Sequence, residues 1–396
     1  MTAMRLYASI IRFFTQKKPM RLLIFFIAGL LSVMLFCGAV GLHAQPLSRD
    51  LIRVAILRGA DSVTIDGNGL LALPDSGAAL VVETPLTLRN SKSAILMNGA
   101  SHRRIRFSAA DRIKVNGKPY RGLLEVLFQK NGLLVINELP LEQYLVGVIN
   151  SEISSTWPME VIKVQAVIAR TYAVAKRTER SKALFHLEST VMDQVYDGSD
   201  QEDSRAARGV HETEGQILTY KGAAIQAFYH ANSGGKTEAS QNVWGVAIPY
   251  LQGVDCQYGA TGNSRTWEQT LPLARIENAL KAAGQKISSL SDIKAGPRNN
   301  RDRLTTVLLV SDRGAISLPA TKFRMAVGST VIKSTNFTVR VENGTAFFSG
   351  IGYGHGVGLC QWGARQRALD GFSYTEILSY YYPGTRLSNI AELQVY

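Results

Sequence analysis

The sequence contains little cysteine, with three residues in a chain of 396. Three cysteines cannot build a disulfide framework, which excludes the small cross-linked domains common among secreted proteins. Charged residues make up only 19% of the chain, and glycine and proline stay at ordinary levels. This composition excludes wholesale disorder and collagen-like repeats. The length is instead sufficient for a sizeable buried core in one large domain or in two.

Several chemical motifs are also missing. The glycine-rich stretch at 350–364 does not match GxGxxG and is not followed by Lys-Ser or Lys-Thr, so neither dinucleotide binding nor a P-loop is predicted. No GxSxG motif surrounds Ser233, which argues against a serine hydrolase. The chain also has no polybasic stripe with interleaved aromatic residues, which argues against a nucleic-acid partner.

Acidic residues are absent from residues 1–44, which carry five of the thirteen excess positive charges. The basic residues end at Arg21, and an uncharged apolar run extends from Leu22 to Leu42. This order is typical of a signal peptide or an N-terminal membrane anchor. Cleavage after Ala44 and retention as an anchor are both open interpretations. Either one predicts an exported protein on the periplasmic or cell-envelope side of the membrane, anchored or secreted.

The rest of the pattern predicts an α+β fold with mixed sheets and packed helices. Short apolar runs between turns indicate a small β-rich segment over 50–110, followed by a larger region over 111–386. Asn116-Gly117 and Asn131-Gly132 predict hairpin turns. Helices are predicted over 139–149, 158–180, 200–213, 271–293, 361–370 and 375–381, and strands include 224–230.

The longest predicted helix, 158–180, has Thr156 as its candidate N-cap and Pro158 near its start. Its apolar residues recur every three to four positions, as expected for a helix that packs against a core. The stripe consists of Val161, Val164, Ile168, Tyr172 and Ala175.

Glu152 is the most informative carboxylate. We predict it in a short loop between two helices, flanked by Ile149, Ile153 and Trp157. Burial beside apolar and indole surface raises the pKa of a carboxyl group and keeps it protonated, as a general acid in glycosidic cleavage requires. A following helix N-terminus would act in the opposite direction. An exposed loop glutamate is the alternative.

Histidine and cysteine residues suggest a second kind of chemistry. His230, Cys256, His355 and Cys360 are the residue types of a tetrahedral zinc site, but no CxxC or HxxxH pair supports one. A disulfide between Cys256 and Cys360 is a further alternative in an oxidising compartment. His355 and Ser233 also have purely structural interpretations, as a packed histidine and a tight turn.

Four runs of the sequence resemble the SpoIID/LytB family of sporulation and cell-wall proteins. They are LPLEQYLVGVINSEISSTWPMEVIKVQAVIARTYAVAKR (139–177), FYHANSGGKTEASQNVWG (228–245), PYLQGVDC (249–256) and GYGHGVGLCQWGARQRALDGFSYTEILSYYYPGT (352–385). The similarity covers about residues 110–386. One departure is Leu359-Cys360, where the family usually has Met-Ser before glutamine.

The resemblance implies a lytic transglycosylase that cuts peptide-free peptidoglycan glycan strands, with Glu152 as the catalytic glutamate. The alternative within the same family is a non-catalytic wall-binding protein that enhances a separate amidase. No cofactor is expected, although some relatives bind zinc. Further residues of the matching motifs are expected to line the groove or brace it: Gln165, Arg170, Tyr172, His230, Ser233, His355 and Gln361. Arg170 and Tyr172 could equally be helix-core contacts.

Overall fold

The computed structural model describes residues 51–91, 93–257 and 266–393. These residues form mixed sheets and eight helices, which confirms the predicted α+β class. The N-terminal run Leu22–Leu42 lies outside the described residues. Within the described ranges, no helix combines the length and the apolar character needed to cross a membrane.

The strands are β1 Leu51–Ala60, β2 Ser62–Asp66, β3 Leu71–Pro74, β4 Leu80–Val81, β5 Leu86–Asn90, β6 Ile95–Met97, β7 Ala100–His102, β8 Arg104–Ser108, β9 Ile113–Val115, β10 Lys118–Tyr120, β11 Leu123–Gln129, β12 Gly132–Pro140, β13 Leu187–Glu188, β14 Gln216–Tyr220, β15 Ala223–Ala224, β16 Tyr229–His230, β17 Thr266–Pro272, β18 Asp292–Ala295, β19 Thr306–Ser311, β20 Gly314–Pro319, β21 Phe337–Glu342, β22 Thr345–Ile351, β23 Leu359–Cys360 and β24 Arg386–Asn389. The helices are α1 Leu141–Glu152, α2 Met159–Glu179, α3 Ser204–Glu212, α4 Ser240–Trp244, α5 Leu273–Ala282, α6 Ala320–Val327, α7 Gln361–Leu369 and α8 Tyr374–Tyr381.

Two sheets form the N-terminal part of the described chain. One has the strand order β13-β1-β12-β11-β8-β3-β4 and the other β10-β9-β2-β5-β6-β7. The first sheet pairs strands from both sides of residue 110, because β11 lies between β8 and β12. Inward residues of both sheets contribute to one core together with α1 and α2. The β-rich segment and the start of the larger region therefore share sheets and core.

The two predicted Asn-Gly turns differ in detail. Asn116 and Gly117 both have positive φ and are the two central residues between the paired Val115 and Lys118, as a two-residue hairpin requires. At the second hairpin Gln129 pairs with Gly132, so the central residues are Lys130 and Asn131. The prediction of Asn131-Gly132 as the central pair was wrong by one residue.

Helix α2 carries the main helical part of the core. The predicted stripe from Val161 to Ala175 is buried. The helix starts at Met159 after Pro158, and no side chain caps it, so Thr156 is not the N-cap. Helix α1 starts at Leu141, because the first two residues of the predicted 139–149 helix pair with β1 as the end of β12.

A second core occupies residues 267–348, inside the predicted 111–386 region. Two three-stranded sheets, β17-β22-β21 and β18-β19-β20, surround it together with α5 and α6. The stretch 271–293 was predicted as a helix and its exit; the helical part is Leu273–Ala282, and β18 follows it. Helix α6 was not predicted. This unit interrupts the first core and returns the chain through β22 to the glycine-rich loop at 352–358.

A short parallel pairing joins the two ends of the first core. Strand β16 pairs with β23 through Tyr229–Leu359 and His230–Cys360. The strand predicted over 224–230 is thus two short strands, β15 and β16, separated by an irregular stretch. The pairing brings the start of α7 close to the end of α1 and the residues that follow it, and this junction forms the candidate site.

Candidate active site

Glu152 is the last residue of α1, at one wall of an open cleft of about 560 Å³. The sequence predicted a loop before a helix at this position. The structure differs, because α1 continues through Ser151 and includes Glu152. The C-terminal end of a helix carries partial negative charge, which disfavours a carboxylate there. The C-terminal end of α1 therefore acts in the same direction as burial, and the opposing effect expected from the following helix concerns the N-terminus of α2 at Met159.

The carboxyl group of Glu152 is held by three donors. The backbone N–H of Val195 donates to Oε1 at 2.8 Å, and the side chains of Tyr229 and Gln361 also donate. Burial raises the pKa of Glu152 above its ordinary value, while these hydrogen bonds partly offset the shift. The result is a protonatable carboxyl group in a defined orientation.

Tyr229 belongs to a polar chain that sequence reasoning did not identify. Its hydroxyl accepts from Gln194 Nε2 at 3.3 Å, and the Tyr144 hydroxyl donates to Gln194 Oε1, also at 3.3 Å. Tyr229 was inside a recognised motif, but nothing in the sequence linked it to Glu152. Gln194 and Val195 lie in a loop without a motif, so no sequence signal pointed to them.

Two tryptophan rings form part of the cleft wall. Trp157 follows α1 and Trp362 is in the first turn of α7; their ring centroids are 5.2 Å apart with an interplanar angle of 60°. Arg205 fixes the Trp157 loop by donating to the carbonyls of Ser155 and Trp157 at 2.7 and 2.9 Å. Both rings are half-buried, so the cleft offers ordered aromatic surface.

Three further acidic residues line the cleft: Asp200, Glu202 and Asp203. Sequence reasoning found no second acid beside Glu152, because these residues lie about fifty positions away. Glu202 accepts from Arg121 through both carboxylate oxygens, at 2.7 to 2.9 Å. Asp203 caps α3 by accepting from the Ala206 N–H at 2.8 Å.

The pKa of Asp203 is shifted in the opposite direction from that of Glu152. Burial alone would raise the pKa of Asp203, but hydrogen bonds from Ala206 N–H, Ser155 and Asn150 lower it. Asp203 is thus stabilised as a carboxylate, whereas Glu152 is biased towards the protonated form. Two carboxyl groups in one cleft therefore favour opposite protonation states.

Gln361 is the one predicted groove residue that both lines the cleft and contacts Glu152. Its Nε2 also donates to Gln165 Oε1 at 3.2 Å. Gln165 is buried on α2 and lies behind Gln361, and its own Nε2 has no partner among the described residues. Gln165 thus orients Gln361 and does not line the cleft.

Arg170 and Tyr172 were expected to line or brace the groove, or equally to be helix-core contacts, and the structure places them in the core. Arg170 is fully buried and makes a bidentate pair with Glu142 at 2.7 Å, with further bonds to the carbonyls of Val210 and Gln216. It joins α1, α2, α3 and β14. Tyr172 donates to Asp193 at 2.9 Å and so anchors the loop that carries Gln194 and Val195.

His230 lies on the other side of β16 from Tyr229, since side chains alternate along a strand, and Ser233 follows the strand in a turn. His230 is 4% exposed, and its Nδ1 donates to the Val357 carbonyl at 3.2 Å. Burial, with repulsion from His355 and Arg303, lowers its pKa well below the ordinary value. Ser233 accepts from the Gly235 N–H at 3.3 Å in a buried turn, so neither residue reaches the cleft.

His355 packs under the glycine-rich loop. Its ring lies 5.6 Å from that of His230 and 5.3 Å from that of Trp244, and its Nδ1 accepts from the Val357 N–H at 3.0 Å. It also hydrogen-bonds the backbone of Tyr229. Burial lowers the pKa of His355 to about 3, so it is neutral near pH 7 and braces the residue that holds Glu152.

The four residues suggested for zinc form two separate pairs. His230 lies near His355, and Cys360 interacts with Cys256, whose Sγ is 3.1 Å from the Tyr381 hydroxyl. Within the described part of the chain, no three His, Cys, Asp or Glu residues converge on a common point. The structure holds the two cysteines as separate, buried thiols. The expectation of no cofactor, with zinc as the alternative, stays a prediction from the sequence.

Fold and site together define an α+β protein with a shielded glutamate in an open, polar cleft flanked by tryptophan. A family model described as stage II sporulation protein, SpoIID, matches residues 129–220, a stretch that contains Glu152, Gln194 and Asp203. The stage II sporulation protein D of Bacillus amyloliquefaciens is 30% identical over 270 residues, covering 64% of this chain and 75% of that protein. The chain belongs to the SpoIID/LytB family.

Two other relatives extend the comparison. A protein of Brachyspira hyodysenteriae described as uncharacterized is 33% identical over 306 residues, covering 77% of this chain and 80% of its own length. The amidase enhancer of Bacillus subtilis is 32% identical over 330 residues, which is 72% of this chain and 46% of that protein. The match therefore spans about half of the amidase enhancer.

Proposed function

We propose that this protein is a peptidoglycan lytic transglycosylase that cleaves the bond between N-acetylmuramic acid and N-acetylglucosamine in peptide-free glycan strands. Family membership supports a cell-wall-related role. The observation that carries the finer proposal is Glu152, a carboxyl group with a raised pKa, fixed by three donors at the wall of a cleft. Tryptophan rings in the same wall suit the apolar faces of sugar rings.

In the first step Glu152, protonated, donates its proton to the glycosidic oxygen as the bond to muramic C1 breaks. Burial and the C-terminal end of α1 both favour the protonated form before the reaction. The donors Tyr229, Gln361 and Val195 N–H then stabilise the carboxylate that the step produces. A general acid of this kind contributes about 100- to 10,000-fold to the rate.

In the second step the Glu152 carboxylate takes the proton from the muramic C6 hydroxyl while that oxygen bonds to C1. The product carries a 1,6-anhydro ring, no water is consumed, and Glu152 ends the cycle protonated. One carboxyl group therefore serves as acid and then as base. Hydrolysis by paired carboxylates, with Asp203 activating water, is the competing chemistry in this cleft.

Product analysis separates these reactions. Peptide-free glycan digested in water enriched in heavy oxygen is expected to give 1,6-anhydro ends without incorporated label. Glu152→Gln is expected to abolish release, while Glu179→Gln has no effect. Glu179 is the matched control, because it ends α2 as Glu152 ends α1 but forms an exposed pair with Lys176. Labelled reducing ends would contradict the transglycosylase mechanism, and activity unchanged by Glu152→Gln would remove Glu152 from it.

A non-catalytic role is the second candidate, favoured by the similarity to a protein named amidase enhancer. In that case the cleft would hold glycan while a separate amidase removes peptides. Addition of the protein to a purified cell-wall amidase would then speed peptide release, and Glu152→Gln would leave this stimulation intact. Stimulation without any anhydro product would favour this function over the enzyme.

The site of action is part of the proposal. We infer from the apolar run Leu22–Leu42 that the region from β1 onwards is exported and works on the wall side of the membrane. Fractionation of cells that express the full chain checks this, with a variant carrying two arginines within the run as the control. Retention of the wild-type chain in the cytoplasm would contradict it.

A further inference from the structure

Helix α7 carries two arginines whose guanidinium groups have no hydrogen bond or ion pair among the described residues. Each is held by aromatic rings instead. Arg365 lies over Trp157 and Trp362, with Cζ 5.7 and 5.4 Å from the ring centroids. Arg367 lies over Phe372 and Tyr380, at 4.2 and 3.9 Å. In both, Nε is buried without an acceptor.

The two arginines differ in whether their aromatic partners line the cleft. Trp157 and Trp362 line the cleft beside Glu152, whereas Phe372 and Tyr380 do not. A guanidinium stacked on an aromatic face keeps its edge N–H groups available for a planar anion. Arg365 is therefore a cation at the border of the cleft, next to the rings on which a sugar would stack, and Arg367 is an otherwise similar cation outside it.

The acidic residues of the cleft do not neutralise Arg365. Glu202 is paired with Arg121, and Asp203 accepts from the α3 N-terminus, Ser155 and Asn150. The terminal N–H groups of Arg365 also have no acceptor among the described residues, so a ligand that reaches them supplies a hydrogen-bond partner. A carboxylate is the acceptor that best matches the guanidinium fork.

We propose that Arg365, Trp157 and Trp362 form a subsite for a sugar ring that carries a free carboxylate. The ring stacks on the tryptophans, and the carboxylate accepts from Arg365. This rests on the proposed function, in which the ligand is N-acetylmuramic acid whose lactyl carboxylate bears no peptide. A peptide on that group replaces the charge with an amide, so the subsite favours stripped glycan over intact glycan.

Binding measurements test the subsite without turnover. The probes are a peptide-free tetrasaccharide of alternating N-acetylglucosamine and N-acetylmuramic acid, and the same tetrasaccharide with its carboxylates reduced to alcohols. Calorimetry in a Glu152→Gln background is expected to show about ten-fold tighter binding of the carboxylate form, as one charge-assisted hydrogen bond allows. High salt is expected to reduce this preference.

Substitutions on α7 test which residue produces the preference for the carboxylate probe. Arg365→Gln is expected to bind both probes equally, at the level of the reduced one. Trp362→Ala is expected to weaken both probes, because stacking does not depend on the carboxylate. Arg367→Gln, the matched control, is expected to keep the full preference.

The outcomes separate this inference from the function on which it rests. If both probes bind equally to the Glu152→Gln protein, or if Arg365→Gln keeps the preference, the carboxylate subsite is wrong while the transglycosylase proposal stands. If neither probe binds at all, the proposed function and the subsite both fail.

Discussion

The cleft and the glycine-rich loop both adjoin the pairing of β16 with β23, yet the polar residues in the two places bind different kinds of partner. In the cleft, Tyr229 and Gln361 donate to a carboxyl group whose pKa is raised. Behind them, His230 and Cys360 occupy the neighbouring positions of β16 and β23 and bind backbone groups in a buried interior. One position in the sequence separates site from scaffold in each case, Tyr229 from His230 and Gln361 from Cys360.

The difference shows that a matching motif does not define a site. Both sets of residues lie in the runs that carry the family resemblance, but only Tyr229 and Gln361 interact with the glutamate at the cleft wall. The histidines have depressed pKa values and their hydrogen bonds go to the main chain, so they hold the loop. The cleft around Glu152 therefore carries the chemistry, and the buried region around His230 and His355 stabilises the fold. Substitutions can test the two regions separately.

The largest effect is expected on the cleft side. Glu152→Gln should reduce glycan cleavage by about 100- to 10,000-fold, since it removes the general acid. His355→Asn should cost less than about ten-fold, because it loses only a bond to the Tyr229 backbone, a bond of modest net worth. Initial rates on peptide-free glycan measure both. A loss at His355 as large as that at Glu152 would place the histidine in the chemistry.

A large loss of stability is expected on the scaffold side. A Cβ at Gly358, where φ is +73°, would lie 1.9 Å from the Phe228 carbonyl oxygen. Gly358→Ala should therefore lower the free energy of unfolding by about 3 kcal/mol. Gly371 also has positive φ but open space around it, so Gly371→Ala should cost about 1 kcal/mol. Urea unfolding compares them; equal losses would show that the loop is not tightly packed.

Cys360 lies at the boundary between scaffold and cleft, directly before Gln361. Its Sγ accepts from the N–H groups of Ser233 and Gly363, at 3.2 and 3.3 Å, and so caps α7. Cys360→Ser keeps an acceptor and should cost less than about 1 kcal/mol, whereas Cys360→Ala should cost about 2 kcal/mol. Thermal unfolding distinguishes them. Equal stability of the serine and alanine variants would mean that the cap contributes nothing.

The smallest effect concerns the stability cost of Glu152 itself. Its pKa is higher in the folded than in the unfolded chain, so the folded state binds more protons between the two values and stability falls as pH rises through them. Glu152→Gln should thus be more stable than the wild type near pH 8, and this gain should vanish below the ordinary glutamate pKa. Unfolding at both pH values checks the sign; a gain that grows towards acid pH would contradict it.

The sequence allowed much of the fold and one centre of chemistry to be predicted. The apolar stripe of α2 and the class of fold followed from periodicity, and Glu152 became the candidate acid from its apolar and indole neighbours together with the family resemblance. The boundaries were harder: α1 extends to include Glu152, because Asn150 and Ser151 continue the helix although they are weak helix formers. That extension places Glu152 at a helix C-terminus, whose dipole favours the protonated carboxyl group.

The partners of Glu152 could not be predicted from local patterns. Val195 and Gln194 contribute from a loop about forty residues away, held by the bond of Tyr172 to Asp193. Arg170 lies in the run 139–177 that resembles the family, but its guanidinium group is paired with Glu142 inside the core. Long-range hydrogen bonds decide which residues reach the cleft, and a single sequence gives no signal of them.

The pH dependence of glycan cleavage by the wild type and by Tyr229→Phe tests the central claim most directly. Loss of the Tyr229 donor removes a bond that lowers the pKa of Glu152, so the pH at which activity declines on the alkaline side should move upwards in the variant. The account predicts this shift, with the profile of His355→Asn unchanged. An alkaline decline that stays in place in Tyr229→Phe and moves in His355→Asn would contradict it.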